Sequence, residues 1–125
     1  MNDVLFKDEV FAIQGAIFEV NREMGACFLE AVYQECLARE FELRKIPFFQ
    51  HKSIGLIYKG EPLTQVYQPD FLCYDSIILE LKVCQEFSSA HRAQILNYLK
   101  ASKLRLGLLI NFGAHPKAQI ERFVL

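Results

Sequence analysis

The sequence lacks an excess of either charge. Its 125 residues include 14 lysines and arginines against 15 aspartates and glutamates, for a net charge of -1. Proteins that coat nucleic acids through bulk electrostatics carry an obvious basic excess, so this balance argues against a nonspecific coat protein. It also excludes a disordered chain, because 52% of the residues are hydrophobic while the net charge stays close to zero.

Long hydrophobic runs are missing as well. Every apolar run is broken by a charged residue well short of the roughly 18 residues that a membrane-spanning helix needs, so the sequence predicts no membrane span. The first nine residues contain Asp3, Asp8 and Glu9, whereas a secretory signal would be basic and then apolar. We therefore expect a cytoplasmic protein.

No pair of cysteines has the CxxC spacing. The four cysteines, Cys27, Cys36, Cys73 and Cys84, lie singly within apolar stretches. In a protein without an export signal, we expect them to be reduced and buried as small hydrophobic residues. The absence of tight ligand spacing disfavours a zinc or iron–sulfur site built from all four, although it leaves that alternative open.

Internal repeats, low-complexity segments and linkers are also absent, which predicts a single domain over residues 1–125. Apolar residues at helical spacing predict an amphipathic helix over 4–23, ended by Gly25. A second helix is expected over 28–44, with Pro47 preventing its continuation. The residues that we expect this second helix to turn inward are Leu29, Val32, Cys36, Leu37 and Leu43.

The middle of the chain changes to strand-like composition. Strands are expected near 48–58, over 65–73 and over 77–84, and residues 74–76 form a short hairpin turn. A helix capped by Ser88 or Ser89 should run to about residue 102, followed by strands over 104–111 and 119–125. This order predicts an α/β domain whose mixed sheet is antiparallel in the middle and parallel where the late helix crosses over.

Two opposite charges share one face of the strand predicted over 77–84. Alternation places Glu80 and Lys82 on that face, and the apolar residues 77, 79, 81 and 83 on the other. The surroundings of this strand look buried on both sides. Burying such charges is costly unless they pair, bind a metal ion or perform chemistry.

The register of the hairpin decides what Glu80 faces. If residues 74–76 form a three-residue loop, Asp70 lies directly opposite Glu80, whereas a two-residue loop would place the two on opposite faces. Facing carboxylates repel each other and favour a cation between them, for which Mg²⁺ is the natural candidate. Lys82 could then orient or deprotonate an attacking water, or stabilise charge that builds on a phosphate.

A simpler interpretation of these residues stays open. Glu80 and Lys82 could form a solvated pair on an edge strand, with Asp70 in a turn. Short charge pairs are common on strands, although the apolar neighbours on both faces of this one weaken that interpretation. The pattern alone does not decide between the two.

Polar residues on two helices form further candidates. His91, Gln94 and Tyr98 share one face of the late helix, where Gln94 could bind a water, phosphate or base and Tyr98 could stack or support Lys82. Taken alone, Tyr98 is more simply a core aromatic residue with Gln94 as its polar neighbour. Glu30, with Tyr33 one turn later, is equally explained by the helix dipole.

Together these residues resemble a known pattern. Pro69-Asp70 followed by Glu80-Leu81-Lys82 is similar to the motif of the PD-(D/E)XK nuclease superfamily, and the pair Gln94 and Tyr98 is similar to its accessory QxxxY motif. More closely, the chain resembles the bacterial and archaeal family named for its GxxExxY signature. The stretches that carry this resemblance are 28–33, 78–82, 94–100 and 107–113. The glycine of the signature falls on Cys27, while Glu30 and Tyr33 are intact.

The resemblance implies a restriction-endonuclease-like core, a mixed central β-sheet flanked by α-helices, with a metal-dependent nuclease site. Asp70 and Glu80 would hold Mg²⁺ or Mn²⁺, and Lys82 would act beside the attacking water. Glu30 would add a helical carboxylate near the metal, while Gln94 and Tyr98 would complete the wall of the site, with Tyr33 in support. The expected reaction is in-line hydrolysis of a phosphodiester in DNA or RNA.

Two other functions remain open at this stage. The chain could be a catalytically weak or inactive nucleic-acid-binding or accessory module of the same fold. In either case Arg92 and Lys100, together with Lys103 and Arg105, could contact a phosphate backbone. The chain could also act as a homodimer or with a protein partner, since its 13% aromatic content leaves room for an apolar contact surface.

Overall fold

The computed structural model describes residues 5–125, and residue 4, where we expected the first helix to begin, lies outside that range. Helices α1 and α2 come first, five strands follow, and α3 separates these from the last two strands. The elements are α1 (Lys7–Met24), α2 (Glu30–Leu43), β1 (Phe48–Gln50), β2 (Ile54–Tyr58), β3 (Glu61–Tyr67), β4 (Phe71–Cys73), β5 (Ile77–Lys82), α3 (Ser89–Ser102), β6 (Leu106–Asn111) and β7 (Gln119–Val124).

Five strands form a mixed sheet in the order β1-β4-β5-β6-β7. Only the central pair β5 and β6 is parallel, and α3 supplies the crossover between them. The other pairs are antiparallel. The expected mixed α/β architecture is confirmed, including the position of its parallel step.

Hydrophobic residues cover both faces of this sheet. On one face, α1 and α2 pack residues such as Ile13 and Leu37 against Leu79 and Leu81 of β5. On the other, α3 packs Ile95 and Leu99 among residues that include Ile78 of β5. The alternation of β5 therefore buries both of its faces, and the charged residues at its end are held in a largely apolar surrounding.

Helix α2 is shorter than expected and faces the core with different residues. It begins at Glu30, and both Leu29 and Leu43 are 78% exposed, so their predicted burial is wrong. The buried stripe instead consists of Tyr33, Leu37 and Phe41, which recur at four-residue steps. Leu29 lies before the first helical turn in an extended conformation, which takes its side chain off this stripe.

The segment expected as one strand over 65–73 is divided between two sheets. Residues 61–67 pair with β2 in a separate two-stranded sheet, whereas 71–73 pair with β1 and β5. Pro69 lies in the interruption, where its missing N–H makes continued pairing unfavourable. The β2–β3 hairpin rests on α3 through Ile54 and Leu56.

The cysteines are all free, but their environments differ. Cys73 is buried and Cys36 and Cys84 are half-buried, as small hydrophobic residues, whereas Cys27 is exposed, contrary to expectation. None of the helices within residues 5–125 is long and apolar enough to cross a membrane.

Candidate active site

The β4–β5 hairpin has the three-residue loop on which the predicted site depends. Residues 74–76 connect Cys73 to Ile77, and the paired positions are Phe71 with Leu79, Leu72 with Ile78 and Cys73 with Ile77. One step beyond the pair of Phe71 with Leu79, on the side away from the turn, the same register brings Asp70 opposite Glu80. Both carboxylates therefore lie at the end of the hairpin that is farthest from its turn.

Hydrogen bonds lock these two carboxylates together. Oδ2 of Asp70 accepts a hydrogen bond of 2.7 Å from the backbone N–H of Leu81, and Oε1 of Glu80 accepts one of 3.3 Å from the backbone N–H of Asp70. Each carboxylate is thus held by the backbone beside the other. Both donors belong to the backbone of the hairpin, so these hydrogen bonds fix the two side chains relative to it.

Burial and mutual repulsion act on Glu80. Loss of water around the side chain, followed by the negative charge of Asp70, raises the pKa of Glu80 to about 7. The Tyr67 hydroxyl, the backbone N–H of Asp70 and the charge of Lys82 all act in the opposite direction. A second positive charge close to the pair would relieve the repulsion that remains.

Tyr67, the last residue of β3, reaches the pair from the other sheet. Its hydroxyl donates a hydrogen bond of 2.5 Å to Oε1 of Glu80. Its ring stacks on that of Tyr98 from α3, with centroids 3.8 Å apart and planes within 7°. Burial and the adjacent Glu80 charge raise the pKa of Tyr67, so that it remains a donor.

Lys82 and Glu30 lie near the carboxylates from different elements. Lys82 follows Glu80 by two residues on the same face of β5, and within the described range it forms no ion pair. Glu30 is exposed at the start of α2. Removal of water from one side of Glu30, together with the charge of Asp70, raises its pKa, while the charges of Lys82 and His51 act against this rise.

The pair of carboxylates fits a hard cation. Among residues 5–125, no cluster of three His, Cys, Asp or Glu side chains is suited to hold a metal ion. Glu30 lies on the exposed end of another element, and its part in holding a metal ion stays a prediction. The second oxygens of Asp70 and Glu80 make no hydrogen bond within the described residues, and Mg²⁺ is commonly held by one or two carboxylates with water completing the shell.

Tyr33 stabilises the segment that carries Glu30. Its fully buried ring stacks on Phe112 with centroids 4.3 Å apart, and its hydroxyl donates to the Gly25 carbonyl at 2.5 Å. The same hydroxyl accepts a hydrogen bond from the backbone N–H of Phe28. Between these two anchors, Cys27 takes a left-handed conformation with φ of 74°, which is where glycine is favoured.

A surface cavity of about 500 Å³ lies between the start of α2 and the segment that follows β5. Residues 27–30 form one wall, and residues 83–85 with Gly113 form the other. Glu30 is the residue that links the cavity to the charges of Asp70 and Lys82. The cavity is thus an extension of the site, on the side where the chain leaves β5.

The remaining predicted residues lie on α3, apart from Lys103 and Arg105, which follow it. Gln94 and Lys100 are exposed, and Tyr98 is half-buried against Tyr67. The guanidinium of Arg92 is held by Glu121 of β7 through hydrogen bonds of 2.9 and 2.7 Å, so its charge is already matched. Ser88 caps the helix as predicted, in a box that it shares with His91.

Three residues near the site had no role in the sequence interpretation. Tyr67 binds Glu80, His51 contributes charge beside Glu30, and Phe28 lines the cavity. The only signal for Tyr67 was its place three residues before Asp70, and no periodicity connects that place with Glu80. His51 and Phe28 lie in loops, which carry no periodic pattern.

Comparison with known proteins bears first on the fold. No curated protein is significantly similar to this chain. Among solved structures, the chain is similar to the crystal structure of SSO0001, with a TM-score of 0.57 and 13% sequence identity. The similarity covers 75% of this chain and 48% of that one, so the present chain spans about half the length of that protein. At this identity the likeness concerns the fold.

Comparison with protein families bears on the whole chain. A family model for the PD-(D/E)XK nuclease superfamily matches residues 7–123. The matched range runs from the start of α1 into β7 and includes Asp70, Glu80 and Lys82. The five-stranded mixed sheet flanked by helices is consistent with the restriction-endonuclease-like fold of that superfamily. This chain belongs to the PD-(D/E)XK nuclease superfamily.

Proposed function

We propose that residues 1–125 form one nuclease-like domain that hydrolyses phosphodiester bonds of DNA or RNA with the help of Mg²⁺ or Mn²⁺. The observation that carries this proposal is the meeting of Asp70 and Glu80 across the β4–β5 hairpin, with Lys82 on the same face of β5. Membership of a nuclease superfamily supports the same reaction.

Each residue of the site has a distinct part in this reaction. Asp70 and Glu80 provide two carboxylate oxygens that are not engaged by other described residues. A bound divalent cation would supply Lewis acidity, activating a water and stabilising charge on the phosphate. The Lys82 ammonium orients the attacking water or stabilises the same developing charge. Glu30 adjusts the local potential from α2, and Tyr98 holds Tyr67 against Glu80.

The direct test is a cleavage assay on single- and double-stranded DNA and RNA with Mg²⁺ or Mn²⁺. We expect Asp70→Asn and Lys82→Met to lower the rate by at least about 100-fold, because each removes a group that acts on the reacting phosphate. The matched controls are Asp75→Asn and Lys117→Met, which change exposed residues of the same types. Equal rates in all four variants would remove the proposal, and binding without metal-dependent cleavage would favour an accessory module.

Contacts with the nucleic-acid backbone are expected from α3. Lys100 is exposed, whereas the charge of Arg92 is matched by Glu121. We therefore expect Lys100→Gln to reduce the salt dependence of binding by about one released counterion, and Arg92→Gln to reduce it less. If both variants reduce the dependence of binding affinity on salt concentration equally, Arg92 must leave Glu121 and contact a phosphate in the complex.

A finer assignment and a partner complete the proposal. The intact Glu30 and Tyr33, with Cys27 in a glycine-like conformation, support membership of the GxxExxY group. A cytoplasmic location fits four free cysteines.

The β2–β3 hairpin is a candidate surface for a second copy or a protein partner, because it exposes the apolar side chains of Ile57, Leu63 and Val66. Light scattering would detect such an association.

A further inference from the structure

The cavity beside Glu30 has walls that are fixed in place by buried polar groups. Asn111 is fully buried, and its side chain bonds both the N–H and the carbonyl of Cys84, at 3.0 and 2.8 Å. It also accepts a hydrogen bond of 2.8 Å from the backbone N–H of Gly113. Opposite this wall, the Tyr33 hydroxyl fixes Gly25 and Phe28. The cavity is therefore preformed, as ligand sites usually are.

Gly113 shows how closely one of these walls is packed. A Cβ atom at this position would lie 2.6 Å from the carbonyl oxygen of Cys84 and 2.8 Å from its nitrogen. Such contacts are shorter than real side chains show, so only glycine allows the two backbones to meet here. The close approach sets the shape of the cavity wall that follows β5.

The lining of the cavity indicates what kind of group it accepts. Phe28 is 44% exposed and Leu29 is 78% exposed, although both are large and apolar. No lysine or arginine is among the described residues that line the cavity, so a phosphate group has no cation to pair with there. The polar side chains of the lining, Glu30 and Gln85, are of the types that hydrogen-bond the edges of bases.

The cavity begins where the charged end of β5 stops. Its Val83 and Cys84 directly follow Lys82 in the chain, and its Glu30 interacts through charge with Asp70 and Lys82. We therefore expect a strand whose phosphodiester rests against Asp70 and Lys82 to bring its neighbouring nucleotide toward the cavity. A base that remains paired and stacked in a duplex does not present its face to such a wall.

We propose that this cavity binds one unstacked nucleobase next to the phosphodiester that is cleaved, with the Phe28 ring as its stacking surface. The inference rests on the proposed nuclease function and deepens it, since it assigns single-stranded, frayed or flipped nucleotides as the substrate class. An aromatic face accepts any base, so the cavity selects an unpaired state and not a sequence.

The test measures binding in a chelator, so that no cleavage takes place. The probes are a short fluorescein-labelled single-stranded oligonucleotide, the matched blunt duplex, and an oligonucleotide of equal length with abasic sugars. We expect Phe28→Ala to weaken binding of the base-bearing single strand by about 5- to 100-fold, the range for loss of one base–aromatic stack. Phe28→Tyr should retain wild-type binding, and Phe11→Ala, which removes a 77% exposed phenylalanine from α1, is the matched control.

A second variant reports base binding by fluorescence and leaves Phe28 in place. The chain has no tryptophan, so Leu29→Trp would introduce a single fluorescent reporter at the cavity wall. We expect its emission to be quenched by the base-bearing single strand and unchanged by the abasic one. Quenching by both strands, or by neither, would overturn the assignment. Wild-type affinity of Phe28→Ala for the base-bearing single strand would overturn it as well, and an apolar protein segment would then be the better occupant.

Cleavage is measured separately on the same oligonucleotides with Mg²⁺. Base-dependent quenching without cleavage would support the cavity as a base site while removing the nuclease function. Cleavage by a Phe28→Ala variant with wild-type KM and kcat on single strands would overturn the cavity assignment while leaving the nuclease function intact.

Discussion

The Tyr67 hydroxyl donates a hydrogen bond of 2.5 Å to Oε1 of Glu80, although the two residues belong to different sheets. The backbone N–H of Asp70 donates to the same oxygen, so both donors fix the orientation of this carboxylate. The stack of Tyr67 on Tyr98 ties the arrangement to α3. The Tyr of the QxxxY pattern thus acts on the candidate site through a second tyrosine.

Removing that hydroxyl should weaken the candidate metal site. We expect Tyr67→Phe to lower the affinity for Mn²⁺ by about 10-fold or more, because residues that orient a ligand typically have effects of this size. The stack on Tyr98 should survive, so the melting temperature should change little. Isothermal titration calorimetry measures the affinity, and Tyr58→Phe, on the exposed part of the same hairpin, is the control. Unchanged Mn²⁺ affinity would show that Tyr67 has only a packing role.

Replacing Glu80 should change how stability depends on pH. Burial and Asp70 raise the pKa of Glu80 from 4.5 to about 7, so between these values the folded protein holds a proton that the unfolded chain has lost. The contribution of Glu80 to the free energy of unfolding should therefore be largest below about pH 4.5 and should be lost as the pH rises through about 7.

Glu80→Gln removes this titration while keeping an acceptor for Tyr67. Without metal and above about pH 8, we expect the variant to be more stable than the wild type by up to about 3 kcal/mol. Urea unfolding in a chelator across the pH range measures the difference, with Glu61→Gln on β3 as the exposed control. A variant that is less stable than the wild type at high pH would contradict the pKa shift.

Cys27 is the position where a glycine should stabilise the chain. Its φ of 74° is unfavourable for a residue with a Cβ atom, so we expect Cys27→Gly to raise the free energy of unfolding by about 0.5–1 kcal/mol. The neighbouring Ala26 has no positive φ, so Ala26→Gly should lower it by a similar amount. Chemical denaturation compares the two, and destabilisation by both substitutions would speak against the strained backbone.

Asn111 should be among the most sensitive polar residues of the chain. Asn111→Ala leaves the backbone groups of Cys84 and the N–H of Gly113 without their buried partner, for an expected loss of about 2–4 kcal/mol. Asn97→Ala, an exposed change on α3, should stay within about 0.5 kcal/mol of the wild type. Equal losses in denaturation experiments would mean that the side chain of Asn111 does not hold the wall of the cavity.

Local patterns were sufficient for much of the architecture. The cap at Ser88, the crossover helix and the buried strand β6 follow from capping chemistry and apolar runs, both of which are properties of adjacent residues. The opposition of Asp70 and Glu80 was predictable as well, but only on the condition of an odd loop, since alternation fixes faces and leaves loop length open. The structure has that odd loop.

Predictions failed where partners from distant segments decided the outcome. Leu29 and Leu43 are apolar and lie at plausible helical positions, but both are exposed. The face of α2 that packs against α1 and β5 is the one that contains Tyr33 and Leu37. Residues 65–67 and 71–73 of the strand expected over 65–73 pair in two different sheets, and residues 68–70 between them are not in a strand.

The sequence by itself determined the mixed α/β class and pointed to three charged residues, Asp70 just before β4 and Glu80 and Lys82 on β5, because periodicity and spacing act over a few residues. Tertiary structure alone decided which groups surround Glu80. Tyr67 and Tyr98 arrive from a separate hairpin and from α3, and the cavity joins the loop before α2 to the end of β5. The physical reason is that hydrogen bonds, stacking and repulsion between charges depend on distance in space, which the order of residues along the chain does not specify.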